Sequence, residues 1–479
     1  MFSRKKQAKG RLLILGSHWE LAGLVKKAGE QGLYVVVCDA RPDGLARKYA
    51  DMDYVADVRD ISAITSICRR ENIDHIMTSF SDLMFECMTK AADAAGLPCY
   101  AVPSMLSAYR NKQKTKEICR KLGIRVPSFV RLGRDFSESD ISSAGISFPA
   151  LMKPVDSYGS RGMHIVRSAG EIREFFEDSA GFSGDGTALV EEWTSGQEIN
   201  IHGFVADGEL TVVSAADRKT SFWKQDTIPA LYGIVYPAKD AEAVIPKASA
   251  LLSRYIRETG QKWGPIAMQC FWDGQEITVC EIAGRMLGFE HELIDMTTGL
   301  DTEQLLLDLC YDRTRYCKCL LSFRRIIKDR IIKRRNPGLP AEKGSIAEAD
   351  PLKSKSECTT EKDEMPPAKC ASLGLTPVSH WNTRHCAEGL YIQHIRGGIV
   401  ADMREIRNIT SFAMVAECTF FYEEGEKIGV LGPKQYFARV YTQADTIQDL
   451  LAAEEKVFEY CHVRNENGEE MLHIPSAAG

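Results

Sequence analysis

The run Leu33–Asp39 (LYVVVCD) is apolar from its first residue to Cys38, so neither face of the strand it forms can rest against water. A strand of that kind lies inside a sheet covered on both sides. Its surroundings agree. Arg11–Leu15 is a short apolar run, Leu21–Gly32 has helical spacing and ends in Gly, and Asp60–Glu71 is helical. Ile73–Ser79 is a strand, and Asp82–Ala95 is an amphipathic helix closed by Gly96. Fully apolar strands alternating with helices predict a parallel sheet with helices on both faces. Pro103–Leu122 is expected as one further helix, stopped by Gly123 with Pro127 just beyond.

From Phe148 the pattern becomes one of hairpins. FPALMKP, GMHIVRS, ALVEEW, EINIHGFV-ADG-ELTVVSA and IAMQCFW-DG-QEITVCEIA have strand composition with turn residues between them. Helices are expected near Ala169–Glu177 and Ala241–Thr259. Arg313–Arg335 is a basic amphipathic stretch, better explained as a solvated helix face with Leu, Ile and Phe turned inward than as a membrane or nucleic-acid contact. Asn336–Pro377 has no aromatic residue and no Val, and cannot bury enough apolar area to offset the entropy of ordering, so a disordered insert is expected there. Strand patterns resume at His380 (GLYIQHI, AMVAECTFFYEEGEKIGVLG, YFARVYT), with a helix at Thr446–Glu459. These form a third, smaller unit.

At 479 residues, 44% hydrophobic and 26% charged, the chain has the length of about three globular domains. Acids outnumber bases by 66 to 60, for a net charge of −6, so no overall positive field would draw nucleic acid. The apolar run Leu12–Leu15 breaks at Gly16-Ser17-His18, too short for a signal-peptide core and far too short to span a bilayer. The 15 cysteines form no CxxC pair, and the expectation is buried free thiols in a reducing cytoplasm.

Four constellations carry chemistry. Leu15-Gly16-Ser17-His18-Trp19-Glu20 followed by Asp39 has the outline of a dinucleotide site, but it holds one glycine and the bulky Trp19 where the turn must open, so a Rossmann-like scaffold without NAD is expected. Lys153 at the end of one strand, followed by Ser157, Gly159, Ser160 and Gly162 before the next, provides a fixed ammonium and backbone N–H groups that a polyphosphate can approach. Glu191-Glu192-Trp193 and Glu198 would offer a backbone edge to adenine and a carboxylate to ribose. Gln269 and Glu281 lie on strands joined through Asp273-Gly274, with Arg285 four residues on. A strict two-residue turn would send Glu281 to the opposite side of the sheet. A three-residue turn or bulge would set Gln269 against Val279 and Ala267 against Glu281, leaving both oxygen donors on one face as diagonal neighbours. The second register is expected, with Arg285 adding charge opposite a leaving phosphate.

In order and spacing these pieces resemble the ATP-grasp superfamily over about residues 11–310, including the lead-in Tyr109-Arg110-Asn111-Lys112 and Gly123–Pro127. The resemblance implies an α/β Rossmann-like pre-domain (1–103), an α+β ATP-grasp domain (104–312), a basic helix and insert (313–379) and a small β-rich C-terminal domain (380–479). It implies Lys112 and Lys153 as phosphate-contacting lysines, Glu191 to Trp193 as the adenine hinge, Glu198 as ribose ligand, Gln269 and Glu281 as Mg²⁺ (or Mn²⁺) ligands, and Arg285 as the catalytic arginine. The activity implied is an ADP-forming, ATP-dependent ligase that activates a small carboxylate as an acyl phosphate and joins it to an amine or thiol. No transmembrane segment is expected, and a homodimer is left open.

The family often has Glu where Gln269 stands and Asn where Ala283 stands, which leaves Glu281 as the certain carboxylate. Ala283 and the C-terminal unit keep open a bicarbonate-using carboxylase. Gln269 and Ala283 together keep open a nucleotide-binding regulatory protein without turnover.

Overall fold

The computed structural model describes residues 8–156, 161–221, 228–288, 290–335 (326–335 as helical backbone), 385–429 and 436–475. The N-terminal strands β1 (Arg11–Leu15), β2 (Tyr34–Asp39), β3 (Met52–Val55) and β4 (His75–Met77) form a parallel sheet in the order β3-β2-β1-β4. All six residues of β2 are buried, as its composition requires. Asp39 accepts hydrogen bonds from the Ser17 backbone N–H (2.7 Å) and hydroxyl (2.9 Å), so this acid closes the loop after β1. The helix Asp82–Ala95 is capped by the Ser81 hydroxyl and ends at Gly96 with φ +68°, which places Asp82 in its first turn.

The stretch Pro103–Leu122 is not one helix. It breaks at Asn111 (φ −100°, ψ 109°) between the helices Leu106–Arg110 and Lys112–Lys121. The Asn111 side chain accepts from the Lys114 N–H at 2.9 Å, and this cap competes with continued helix. Lys112 therefore opens a new helix, and its N–H donates to the Val155 carbonyl at 3.1 Å.

A second, antiparallel sheet contains β5 (Phe129–Leu132), β6 (Ala150–Pro154), β7 (His164–Val166) and β8 (Ala188–Glu192) in the order β5-β8-β6-β7. With the helix Ala169–Gly181 it closes its own core around Met152, Val166, Ile172, Phe176 and Val190.

The third sheet is the largest. It runs through β9 (Gln197–Ala206), β10 (Glu209–Ser221), β11 (Ala230–Tyr236), β12 (Trp263–Trp272) and β13 (Ile277–Ala283), with the helix Ala241–Thr259 between β11 and β12. Four of the C-terminal strands join this sheet rather than forming a separate one. After β14 (Cys386–His394) and β15 (Gly398–Asp402) come β16 (Val415–Phe420), β17 (Lys427–Ile428), β18 (Tyr436–Ala444), β19 (Arg464–Asn465) and β20 (Leu472–His473). The nine-stranded sheet has the order β13-β12-β9-β10-β11-β14-β18-β16, with β20 also on β14, while β15, β17 and β19 form a small sheet. The edge of β11 would otherwise expose unpaired backbone groups, and β14 covers it by pairing Ala387–Leu390 with Gly233–Tyr236. The C-terminal segment keeps a core of its own, around Leu390, Phe437, Val440 and Val457, followed by the helix Ile447–Glu459.

The β12–β13 register differs from expectation. Trp272 pairs with Ile277 around the four-residue loop Asp273–Glu276, and a bulge then lets Gln269 pair directly with Glu281 and Ala267 with Ala283. The two side chains share a face, as opposite partners rather than diagonal neighbours.

In the helix Arg313–Arg335, Tyr316, Cys319, Leu320 and Phe323 are buried, and the Tyr316 hydroxyl donates to the Val205 carbonyl at 2.9 Å. This half packs on the large sheet. The insert 336–377 lies outside the described residues. Every described cysteine is a free thiol, and among the described residues no helix is long and apolar enough to cross a membrane.

Leu390 is fully buried in β14. Leu390→Ala is expected to cost about 2–5 kcal/mol. Because β14 belongs to the central sheet, the cost should lower the midpoint of the main urea-unfolding transition followed by tryptophan fluorescence. A separate early transition that leaves the main midpoint unchanged would contradict a shared sheet.

Candidate active site

The N-terminal parallel domain, the four-stranded antiparallel sheet and the nine-stranded sheet all border one cavity of about 1030 Å³. The small antiparallel sheet contributes Lys153 from β6, which is almost fully buried and forms an ion pair with Glu191 of β8 at 2.9 Å. Glu191 also pairs with Lys116 at 3.3 Å. Burial opposes the charge on Lys153, but Glu191 outweighs it and holds the ammonium's pKa above its usual value. Burial likewise opposes the Glu191 carboxylate, and the two lysines more than offset that, so its pKa is lowered. One buried acid thus anchors two cations. Lys112 also lines the cavity; burial lowers its pKa, against the pull of Glu281.

The face of the large sheet supplies the facing wall. Asn200, Gln269 and Glu281 form one row across β9, β12 and β13. The Gln269 amide nitrogen donates to the Glu198 carboxylate, and Glu198 pairs with Arg218 of β10 at 3.0 Å. With its nitrogen committed to Glu198, the Gln269 amide presents its carbonyl oxygen as the remaining acceptor beside Glu281. An all-oxygen pair with one carboxylate fits a hard divalent cation that takes its other ligands from phosphate and water. Among the described residues no three His, Cys, Asp or Glu side chains come together to hold a metal by themselves. The extra residue of the bulge, Cys280, turns its carbonyl to Lys116 Nζ at 3.2 Å.

Arg285 is buried at the cavity wall. Its Nε donates to Asp82 Oδ1 at 2.7 Å, one Nη to the other carboxylate oxygen of Asp82, and the other Nη to the Met286 carbonyl at 2.8 Å. Burial works against both ions of this pair, and each one's charge sustains the other: the Arg285 pKa is raised and the Asp82 pKa lowered. Asp82 is therefore the group that orients the arginine across two sheets. Glu290 lies deeper, accepting from Tyr236 Oη and from Asn200 Nδ2 (2.6 Å). Burial pushes its carboxyl up to about 7 despite these bonds and the nearby Arg218 and Arg285. His202 is buried beside it and pushed down to about 3, mainly by desolvation and then by Arg285. His291 is buried away from the cavity against Phe80, between Glu292 (2.8 Å) and Glu303 (3.6 Å). Those acids overcome its burial and raise it to about 10.

The chain crosses from one sheet to the other at 193–196. β8 ends at Glu192, whose N–H donates to the Ser128 carbonyl at 2.9 Å. Trp193 is 36% exposed, and Glu191 to Glu198 all border the cavity. Gly196 has φ +126°, and a Cβ there would stand 2.8 Å from the Trp272 carbonyl, so only glycine fits this crossing. Gly162, with φ +64°, is likewise pressed against Phe182. Ser157, Gly159 and Ser160 lie outside the described residues. The structure thus brings Lys112, Lys153, Glu191, Glu192, Trp193, Glu198, Gln269, Glu281 and Arg285 to one cavity. Sequence reasoning missed Lys116 and Asp82. The Lys112-x₃-Lys116 spacing on one helix face was the available signal for the first. Asp82 carried none, because its partner is 203 residues away.

Glu290 titrates higher folded than unfolded, where a glutamate sits at about 4.3. Its contribution to stability is complete below that pH and is lost as pH rises through about 7. Compared with Glu290→Gln, the native chain should lose on the order of 3 kcal/mol between pH 4 and 8, as read from urea midpoints. Parallel pH profiles of the two proteins would contradict a buried, protonatable Glu290.

Residues 118–235 match the family described as the D-ala D-ala ligase C-terminus. The formate-dependent phosphoribosylglycinamide formyltransferase of Wolinella succinogenes is 21% identical over 182 residues, covering 38% of this chain and 47% of that protein. The D-alanine–D-alanine ligase of Pseudomonas putida is 28% identical over 231 residues, covering 45% and 68%. The chain spans about half the length of four formate-dependent phosphoribosylglycinamide formyltransferases it matches, and 70% of a fifth. The crystal structure of an L-amino acid ligase from Bacillus licheniformis superposes with a TM-score of 0.70 at 16% identity, covering 96% of this chain and all of that one. An N5-carboxyaminoimidazole ribonucleotide synthetase in its ADP complex gives 0.63 at 16% identity, covering 94% and 97%.

Proposed function

We propose that this chain, which has the fold of the ATP-grasp ligases, joins a carboxylic acid to an amine with cleavage of ATP to ADP and phosphate. The observation that carries this reading is the convergence of a buried cation (Lys153), a one-faced oxygen pair (Gln269 and Glu281) and a backbone crossing (Glu191–Glu198) on one cavity.

The adenine would lie along Glu191–Trp193, between Leu151 and Met163 on one side and Phe271 on the other. Lys153 and Lys112 would take the phosphates. A carboxylate oxygen of the acid attacks the γ-phosphorus, and the bond from that phosphorus to the β-bridging oxygen breaks, releasing ADP. The amine then attacks the acyl carbon, and the carbon–oxygen bond to phosphate breaks. The amine arrives as an ammonium ion and must lose a proton. Glu290, at the cavity wall and pushed up to about 7, is placed to accept it. Gln269 and Glu281 would hold Mg²⁺, or Mn²⁺, which when bound neutralises charge on the transferring phosphoryl group. Arg285, held rigid by Asp82, faces the same charge and costs little reorganisation as it develops.

Purified protein should release ADP from ATP when given its acid, and hydroxylamine should trap the activated acid as a hydroxamate. Lys153→Ala and Glu281→Ala should each lower turnover by about 10²-fold or more. Full turnover in both variants would overturn the assignment. ADP release with bicarbonate alone would favour a carboxylase, and tight ATP binding without turnover would indicate a regulatory protein.

A further inference from the structure

Lys116 is 1% exposed and does not line the cavity, yet it touches a residue from each of the two walls that face one another there. Its Nζ lies 3.3 Å from Glu191 Oε1 and donates to the Cys280 carbonyl at 3.2 Å. Glu191 Oε2 takes Lys153 at 2.9 Å, so this buried carboxylate gives one oxygen to each lysine. The helix Lys112–Lys121 fixes where Lys116 stands. At its start the Lys112 N–H donates to the Val155 carbonyl at 3.1 Å, and the Thr115 hydroxyl donates to the Ala108 carbonyl at 2.7 Å. Lys116 follows Lys112 by one helical turn. Lys112 reaches the cavity and Lys116 stays beneath it.

The division of Glu191 has a consequence for Lys153. Without Lys116, Glu191 Oε1 would be a buried carboxylate oxygen that had lost its cation, and such an oxygen is costly to leave unmatched. The cation still on that carboxylate is Lys153. Both oxygens would close on its ammonium and draw it toward β8, away from the cavity. With Lys116 in place, the ammonium of Lys153 is held through one oxygen and keeps its remaining donors for a ligand.

We propose that Lys116 is a positioning residue for the nucleotide's phosphates: by taking one oxygen of Glu191 it keeps the Lys153 ammonium extended toward them. This rests on the ligase reading for the identity of the ligand, but the effect is one of binding and needs no turnover. Adenine recognition does not depend on it. The backbone of Glu191 is paired on both sides, with Phe129 and Leu151, and keeps its place whichever way the carboxylate turns. Lys112 also remains at the cavity wall, so the loss of phosphate affinity without Lys116 is partial.

Calorimetry on the full chain in EDTA compares adenosine with ADP, which share the base and ribose and differ in the phosphates. Lys116→Met and Lys116→Gln are made in parallel, so that one variant folded by circular dichroism suffices. ADP should bind about ten-fold or more weakly than to the native chain, the equivalent of one charge-assisted hydrogen bond, and adenosine within about two-fold. Lys116→Arg, which keeps the charge and the donors, should restore most of the ADP affinity. Equal weakening of adenosine and ADP would show a merely structural role and overturn the proposal. Native ADP affinity in a folded Met or Gln variant, with acid-dependent ADP release from ATP intact, would remove this role and leave the ligase standing. Lys116-dependent ADP binding, with no ADP formed from ATP with any acid, would do the reverse.

Discussion

A single extra residue in β13 decides whether the proposed metal pair exists. Near the loop, Trp272 pairs with Ile277; continued without interruption, that register would set Gln269 against Cys280 and turn Glu281 to the other face of the sheet. The bulge changes the parity, so Glu281 and not Cys280 meets Gln269. The residue it displaces is also used, because the freed Cys280 carbonyl accepts from Lys116, which steadies Glu191, which in turn holds Lys153. The oxygen pair and Lys153 are thereby tied to one irregularity in the hairpin, although they lie on different sheets.

Much of the site is built from charges drawn out of water in matched sets. Glu191 serves two lysines, Asp82 takes the fork of Arg285, and Glu198 lies between Gln269 and Arg218. Such pairs gain little net stability over apolar packing, and losing one partner of such a pair costs about 3–5 kcal/mol. Their return is fixed geometry: the polar heads face a cavity with little freedom to relax, which is the condition under which dipoles and charges stabilise a transferring phosphoryl group. Glu290 differs. It is hydrogen-bonded by neutral groups, and burial leaves it close to the point of titration near neutral pH.

Much of this was legible in the sequence wherever the cause is local. The apolar β2 strand, the Ser81-to-Gly96 helix and the Lys153 strand follow from composition, caps and periodicity within a few residues. The residues that line the cavity were largely found as well, because their spacing along strands fixes the face they share. What stayed hidden depends on distant partners or on competition between close alternatives. Asn111 breaks a helix because its cap outweighs continued helix. The bulge near Cys280 cannot be separated from a longer turn by counting residues. The union of β14 with β11 and the Asp82–Arg285 pair join segments more than a hundred residues apart, and nothing in either segment announces the other.

The central claim is that this cavity transfers the γ-phosphoryl group of ATP to a carboxylate and holds the product long enough for a second attack. Positional isotope exchange in ATP labelled with ¹⁸O at the β,γ-bridging oxygen reports this step alone. With acid and Mg²⁺ present and amine withheld, the account predicts that the label scrambles into the β-non-bridging positions, at a rate that depends on the acid. Label that stays in the bridge, with every acid that the protein binds, would contradict it.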